Sequence, residues 1–227
     1  MAVIVLLHAF GSSHRAWRPQ IPRLREAHRV LAPDLPGHGG SPGPFSLERA
    51  VGSVRDLVLA EDEPVHLVAV SGSVSVALLV ALSEPARVAG LVLSGGAARG
   101  RPGDAVQRLL MRLLPEGVIT AMLQGVYAGG QVEYRAQAAE DLRQAGKGAL
   151  LSGLAGLGRL DLRARLGEIT VPTLVLNGAM DQANLAPAEE IASAVPGAEL
   201  RVVPEAGHVW NLQRPELFTR TVIEFVG

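Results

Sequence analysis

The stretch "HLVAVSGSVSVALLVAL", residues 66–82, decides the fold. It begins inside an apolar run, "VHLVAV" (65–70), that is apolar at successive positions rather than alternate ones. That pattern fits a strand covered on both faces, as in a parallel sheet. Small residues follow, and then an uninterrupted apolar segment, 73–83, long enough for about three helical turns. A strand that passes into a helix through small residues is the unit from which parallel sheets are built.

The same unit recurs on either side. Short Val-, Leu- and Ile-rich runs at 2–7, 29–33, 90–94, 172–177 and 199–203 read as further buried strands. Amphipathic segments at 14–27, 46–60, 187–195 and 213–226 read as the helices between them. The expectation is an α/β fold with a mostly parallel central sheet, helices on both faces and right-handed crossovers. Residues 99–168 break the rhythm: they contain no convincing strand, and "DAVQRLLMRLL" and "EYRAQAAEDLRQAG" read as helices. The expected organisation is a core of 1–98 and 169–227 with a helical lid, 99–168, over the carboxyl ends of the strands, where such sheets bind ligands.

Composition narrows the classes. The 227 residues suit one domain, and 48% hydrophobic residues suffice for a sizeable core. A net charge of −1 gives no electrostatic case for nucleic acid or an anionic membrane surface. With no cysteine there is no disulfide, thiolate nucleophile or Cys-ligated metal. No two histidines have metal-ligand spacing, and no phosphate-binding loop occurs. The N-terminal apolar run lacks a basic flank and a cleavage pattern, and no apolar run could span a bilayer. The expectation is a cytoplasmic protein acting on a small-molecule substrate without metal or cofactor, with no nucleic-acid or membrane partner.

Three serines, Ser71, Ser73 and Ser75, lie at alternate positions in the opening stretch. Ser71 directly follows the strand, between Ala69 and Ser73. A nucleophile on a sharp strand-to-helix turn needs such small neighbours. Ser73 fits a small-x-Ser-x-small frame equally well, and serines near helix starts often serve as caps or packing residues. A nucleophilic serine also needs a base and an orienting acid. His208, in "PEAGHVWN", follows the last strand. Asp181, in "NGAMDQ", follows the strand before it. Both therefore fall on the carboxyl edge of the sheet, in the chain order Ser, Asp, His.

Taken together, these segments resemble the α/β-hydrolase fold superfamily over nearly the whole chain. "VIVLLHAFGSSHRAW" resembles the family's strand and His-Gly-x oxyanion loop, and "APDLPGHGGSPGP" its Asp-x-x-Gly-x-Gly-x-Ser loop. "VHLVAVSGSVSVALLVALSEPARVAGLVLSGG" resembles the nucleophile elbow, "ITVPTLVLNGAMDQ" the acid loop, and "VVPEAGHVWNLQRPELFTRTVIEFV" the histidine loop. The resemblance implies a compact member without the usual N-terminal hairpin. It places the nucleophile at Ser71, with Asp181 and His208 completing a triad and the backbone N–H groups of Phe10 and Gly72 forming an oxyanion hole. It leaves Ser73 at a small elbow position and Ser75 on the helix as packing.

Departures from the family pattern are Ala69 and Ser73 where Gly is usual, and His8-Ala9 for His-Gly. If position 9 required positive φ, alanine would cost about 1 kcal/mol or more relative to glycine and would weaken the Phe10 donor. His8, Asp34 and His38 read as loop-shaping residues. The expected substrate pocket comprises His8, Trp17, Met111, Leu114, Met122, Leu123, Tyr127 and Trp210. It is largely apolar, which points to small uncharged carboxylic esters and a serine carboxylesterase. The same triad suits C–C bond hydrolysis, cofactor-free haloperoxidase or lyase chemistry. A ligand-binding protein without turnover is the alternative outside enzymology.

Overall fold

The computed structural model describes residues 1–101, 103–126 and 132–227, with the side chains at 123–126 and 132 outside the description. Six strands form one sheet: β1 (Val3–Leu7), β2 (Arg29–Leu31), β3 (Val65–Val70), β4 (Val88–Ser94), β5 (Thr173–Gly178) and β6 (Glu199–Val203). Their order is β2-β1-β3-β4-β5-β6, and every pairing is parallel. The nine α-helical segments among the described residues are α1 (Ile21–Leu24), α2 (Leu47–Leu59), α3 (Ser73–Ser83), α4 (Asp104–Leu113), α5 (Glu116–Val126), α6 (Val132–Gly158), α7 (Gln182–Ala194), α8 (Trp210–Gln213) and α9 (Pro215–Val226). All six predicted strands occur, and the predicted helices 46–60 and 73–83 are α2 and α3.

Successive side chains of a strand point to opposite faces, and the core divides accordingly. Val3, Val5 and Leu7 of β1, with Leu67 and Ala69 of β3, pack on one face with Ala50, Val54 and Val58 of α2 and Ala188 and Ile191 of α7. Ile4 and Leu6, with Val68 and Val70, pack on the other face with Trp17, Leu24 of α1, Trp210 of α8, and Phe218 and Val222 of α9. Burial on both faces is the physical reason the strands read as continuous apolar runs.

The predicted helix 14–27 is a correction. It is a 3-10 turn, His14–Trp17, followed by the four-residue α1. Pro19 and Pro22 lack the N–H a continuous helix needs, and Pro22 instead takes the early α1 position it tolerates.

Between β4 and β5 the regular elements among the described residues are all helices, and one isolated bridge joins Arg99 with Asp161. The two ends of the insertion are tied there, with the Gly100 N–H donating to the Leu160 carbonyl at 2.8 Å and the Leu162 N–H to that of Ala98 at 2.9 Å. Helix α6 is broken at Gly146, at φ 73°. Met111, Ile119, Leu142 and Leu150 form a small apolar core within the insertion. No helix among the described residues is long and apolar enough to cross a membrane.

Candidate active site

The strand order reverses between β1 and β3, because the chain runs from β1 outward to β2 and returns to β3 on the other side. Crevices at such switch points, beyond the carboxyl ends of the strands, are where open α/β sheets place ligands. The loop after β1 carries Phe10. The turn after β3 carries Ser71.

Ser71 has φ 57°, one of two positive-φ residues other than glycine among the described residues, with Glu205. Its N–H donates to the Ser94 carbonyl at 2.8 Å, which ties the turn to β4. Its Oγ lies 2.9 Å from His208 Nε2, and His208 Nδ1 lies 2.7 Å from Asp181 Oδ2. The carboxylate accepts from Nδ1–H, so Nε2 is the acceptor facing the serine hydroxyl. Asp181 is buried. Asn177 holds its turn by donating to the Gly178 and Asp181 carbonyls at 2.9 and 3.0 Å. The Met180 N–H donates to the Ala206 carbonyl at 2.9 Å, joining the acid loop to the histidine loop.

The other two serines are engaged elsewhere. Ser73 is fully buried, with Oγ 2.8 Å from both the Leu7 and Val70 carbonyls, so it bridges the ends of β1 and β3. Ser75 donates to the Ala97 carbonyl at 2.8 Å.

The loop after β1 is a turn closed by the Ser12 N–H on the Ala9 carbonyl at 3.0 Å. Gly11 takes its left-handed position, at φ 83°. Ala9 is not in that region, so the requirement for glycine falls two residues later and no penalty attaches to Ala9. Histidines shape the loop. His8 Nε2 accepts from the Leu35 N–H at 3.0 Å and its Nδ1–H donates to the Ala9 carbonyl at 2.9 Å. His38 Nε2 accepts from the Gly11 N–H at 2.8 Å. Burial, helped by the neighbouring His38, lowers the His8 pKa to about 4, and burial likewise lowers that of His38. Neither the Phe10 nor the Gly72 N–H donates to an acceptor among the described residues. A Cβ on Gly72 would lie 2.5 Å from the Phe10 ring, so this glycine is what allows the two loops to meet.

Ser71, Gly72, Asp181 and His208 line a cavity of about 350 Å³. The remainder of its wall corrects the predicted pocket. None of His8, Trp17, Met111, Leu114, Met122 and Trp210 lines it. Trp17 and Trp210 belong to the sheet core against Phe218, and His8 is enclosed in its loop. Met111 and Leu114 pack in the core of the insertion, and Met122 faces solvent. The Leu123 side chain and Tyr127 lie outside the described residues.

The wall is mixed: Arg99, Arg101, Asp104, Gln107 and Asn184 bring polar groups to it, and Ala97, Leu154, Leu157 and Ala183 apolar surface. Both arginines are paired, Arg99 Nε with Glu190 at 3.0 Å and Arg101 Nε with Asp104 at 3.8 Å. Asn184 Nδ2 donates to both oxygens of Asp181 at 2.9 Å. Its position three residues after the acid, on the same helical face, is the signal by which the sequence points to it. A larger groove of about 580 Å³ between α1 and α9, lined by Pro19, Arg23, Pro215, Glu216, Thr219, Arg220 and Ile223, contains no serine or histidine.

This arrangement is that of a hydrolase, and the chain belongs to the alpha/beta hydrolase family, whose model matches residues 4–221. It is 32% identical, over 99% of its length and 91% of the relative's, to a protein of Variovorax paradoxus provisionally named a carbamate hydrolase. It is 30% identical to a pimeloyl-[acyl-carrier protein] methyl ester esterase of Methylococcus capsulatus, over 99% of this chain and 94% of that one. Among solved structures, a hydrolase from Pseudomonas aeruginosa superposes with a TM-score of 0.89 at 28% identity, covering 100% of this chain and 90% of the other. The enol-lactonase from Burkholderia xenovorans does so with a TM-score of 0.86 at 25% identity, over 99% and 91%.

Proposed function

We propose that this hydrolase is a serine carboxylesterase that cleaves small carboxylic esters through an acyl-Ser71 intermediate. The carrying observation is the continuous chain Ser71 Oγ, His208 Nε2, His208 Nδ1, Asp181 Oδ2, at 2.9 and 2.7 Å. His208 takes the Ser71 proton as Oγ attacks the ester carbonyl carbon, and Asp181 stabilises the resulting imidazolium. The Phe10 and Gly72 N–H groups hold the oxyanion. Collapse expels the alcohol, which takes the proton from His208. Water, deprotonated by the same histidine, then releases the acid.

A cavity of about 350 Å³ lies at the small end of the range for ligand sites, which favours a compact substrate. Its mixed wall suits an ester that carries a hydrogen-bonding group beside an apolar one. Residues 99–168 then act as a lid, since Arg99, Arg101, Asp104, Gln107, Leu154 and Leu157 close one side of the cavity. The test is turnover of p-nitrophenyl esters of rising acyl length with a Ser71→Ala control. Turnover of the short esters, abolished in the variant, is expected; undiminished turnover by Ser71→Ala overturns the reading. A relative 29% identical over 99% of this chain and 86% of its own is named a 2-hydroxy-6-oxononadienedioate hydrolase, in Cupriavidus pinatubonensis. C–C bond substrates therefore belong in the same panel.

A further inference from the structure

The carboxylate of Asp141, on α6, is completely buried and takes no part in the sheet or the triad. Ser13 Oγ donates to its Oδ2 at 2.8 Å, and the Arg15 guanidinium pairs with its Oδ1. Ser13 in turn accepts from the Arg15 N–H at 3.2 Å and begins the 3-10 turn that ends the Phe10 loop. The residues around Asp141 press on the same loop. A Cβ on Gly11 would come within 3.1 Å of Leu142 Cδ1, and one on Gly153 within 2.6 Å of the Phe10 ring. From below, His38 holds Gly11 and the Phe45 ring meets that of Phe10 at 4.7 Å. The loop is thus gripped between the segment that joins β2 to α2 and the inserted helix.

Burying a carboxylate is costly, and a paired ion is often no more stabilising than well-packed apolar residues. An ion pair and a hydroxyl do, however, fix direction, which an apolar contact does not. We propose that Asp141 is a positioning residue for the oxyanion loop: through Ser13 and Arg15 it holds the Phe10 N–H where the oxyanion forms. The proposal rests on the esterase reading above. It makes the insertion part of the catalytic machinery rather than a cover alone. Displacing α6 releases the oxyanion donor as well as opening the cavity.

The experiment compares wild type, Asp141→Ala, Asp141→Asn and Ser13→Ala, with Glu140→Gln as a neighbouring carboxylate control. It measures kcat and KM on p-nitrophenyl butyrate and inhibition by butaneboronic acid, whose tetrahedral adduct on Ser71 uses the oxyanion hole. Amide hydrogen exchange at residues 9–15 is followed in parallel. Asp141→Ala is expected to lower kcat about 10- to 100-fold with KM within about threefold, the scale of a misplaced or lost oxyanion donor. The boronic acid inhibition constant is expected to rise in proportion to the loss in kcat/KM, with faster exchange at 9–15. Asp141→Asn and Ser13→Ala fall between it and wild type, and Glu140→Gln matches wild type. A lower melting temperature with kcat and boronate affinity unchanged overturns the proposal, as does a rise in KM alone. If Asp141→Ala does not fold, Ser13→Ala decides by the same split. Lack of turnover in wild type would overturn the esterase reading instead, and the exchange at 9–15 would then decide whether Asp141 holds the loop.

Discussion

At φ 57° Ser71 occupies a region that costs an ordinary residue about 1 kcal/mol or more, and the structure around it supplies the compensation. Its N–H is bonded to β4, and Ser73, two residues on, ties the ends of β1 and β3 from beneath. The two hydroxyls should separate cleanly under mutation. Ser71→Ala is expected to remove ester turnover by several orders of magnitude with little change in melting temperature. Ser73→Ala should cost about 1 kcal/mol of stability and leave most of the turnover. Denaturant unfolding and kcat of the two variants check this, and a fluorophosphonate adduct mapped to Ser73 would reverse the assignment. Ala9→Gly should be neutral or slightly destabilising, because Gly11 already provides the left-handed position and a second glycine adds only unfolded-state entropy. A rise in kcat in that variant would show that Ala9 strains the loop. The hydrogen-bonded chain of Ser71, His208 and Asp181 could be anticipated from the sequence because each of the three follows a segment that reads as a strand. The pocket could not. Apolar residues such as Met111 and Leu114 look alike whether they line a cavity or fill the core of the insertion, and Arg99, Arg101 and Gln107 carry no periodic signal.

Among the elements, α7 shows how a local irregularity reaches the cavity. Its start was predicted at 187, yet it begins at Gln182 and carries Pro187 within it. Proline has no N–H to give the carbonyl four residues back, and the Ala183 carbonyl instead accepts from Arg101 Nη1 at 3.0 Å. The arginine also reaches Asn184 Oδ1 at 3.4 Å, which links the cavity wall to the side chain holding Asp181. Arg101→Met is therefore expected to cost about 0.5–1 kcal/mol, and measurably less in a Pro187→Ala background, where the new N–H satisfies Ala183. Equal costs in the two backgrounds, by denaturant unfolding, would mean that the carbonyl is not what Arg101 serves. Sequence reading erred in opposite directions at the two places: it ran a helix through Pro19 and Pro22, which interrupt it, and started one at Pro187, which α7 accommodates because Arg101, distant in the chain, takes the freed carbonyl.

Over the whole molecule, the candidate site lies at the carboxyl edge of the sheet, and His8 and His38 bring acid sensitivity to the same edge. His8 and His38 each use Nε2 as an acceptor for a backbone N–H, so both must be neutral there for the loops after β1 and β2 to keep their shape. Burial, the first cause, with the mutual repulsion of the two rings, holds His8 at about 4, below the ordinary 6.5. The unfolded chain therefore binds a proton at this position before the folded one does. The contribution of His8 is complete above about pH 6.5 and is lost as pH falls towards 4, amounting to roughly 3 kcal/mol by the lower limit. His38 adds to the loss in the same direction, and so does His66, whose pKa is lowered by burial. Carboxylates act lower down, as with Asp161, which Arg163 holds at about 2. Urea unfolding between pH 7.5 and 4.5 should show stability level at first and then falling steeply below about 6.5. The fall should be shallower in His8→Asn even if that variant is less stable at neutral pH, because the slope counts protons and not contacts. A wild-type profile that stays level to pH 4.5 would mean that His8 and His38 take up protons without loss of their loops, and the tight packing of this edge would then need another explanation.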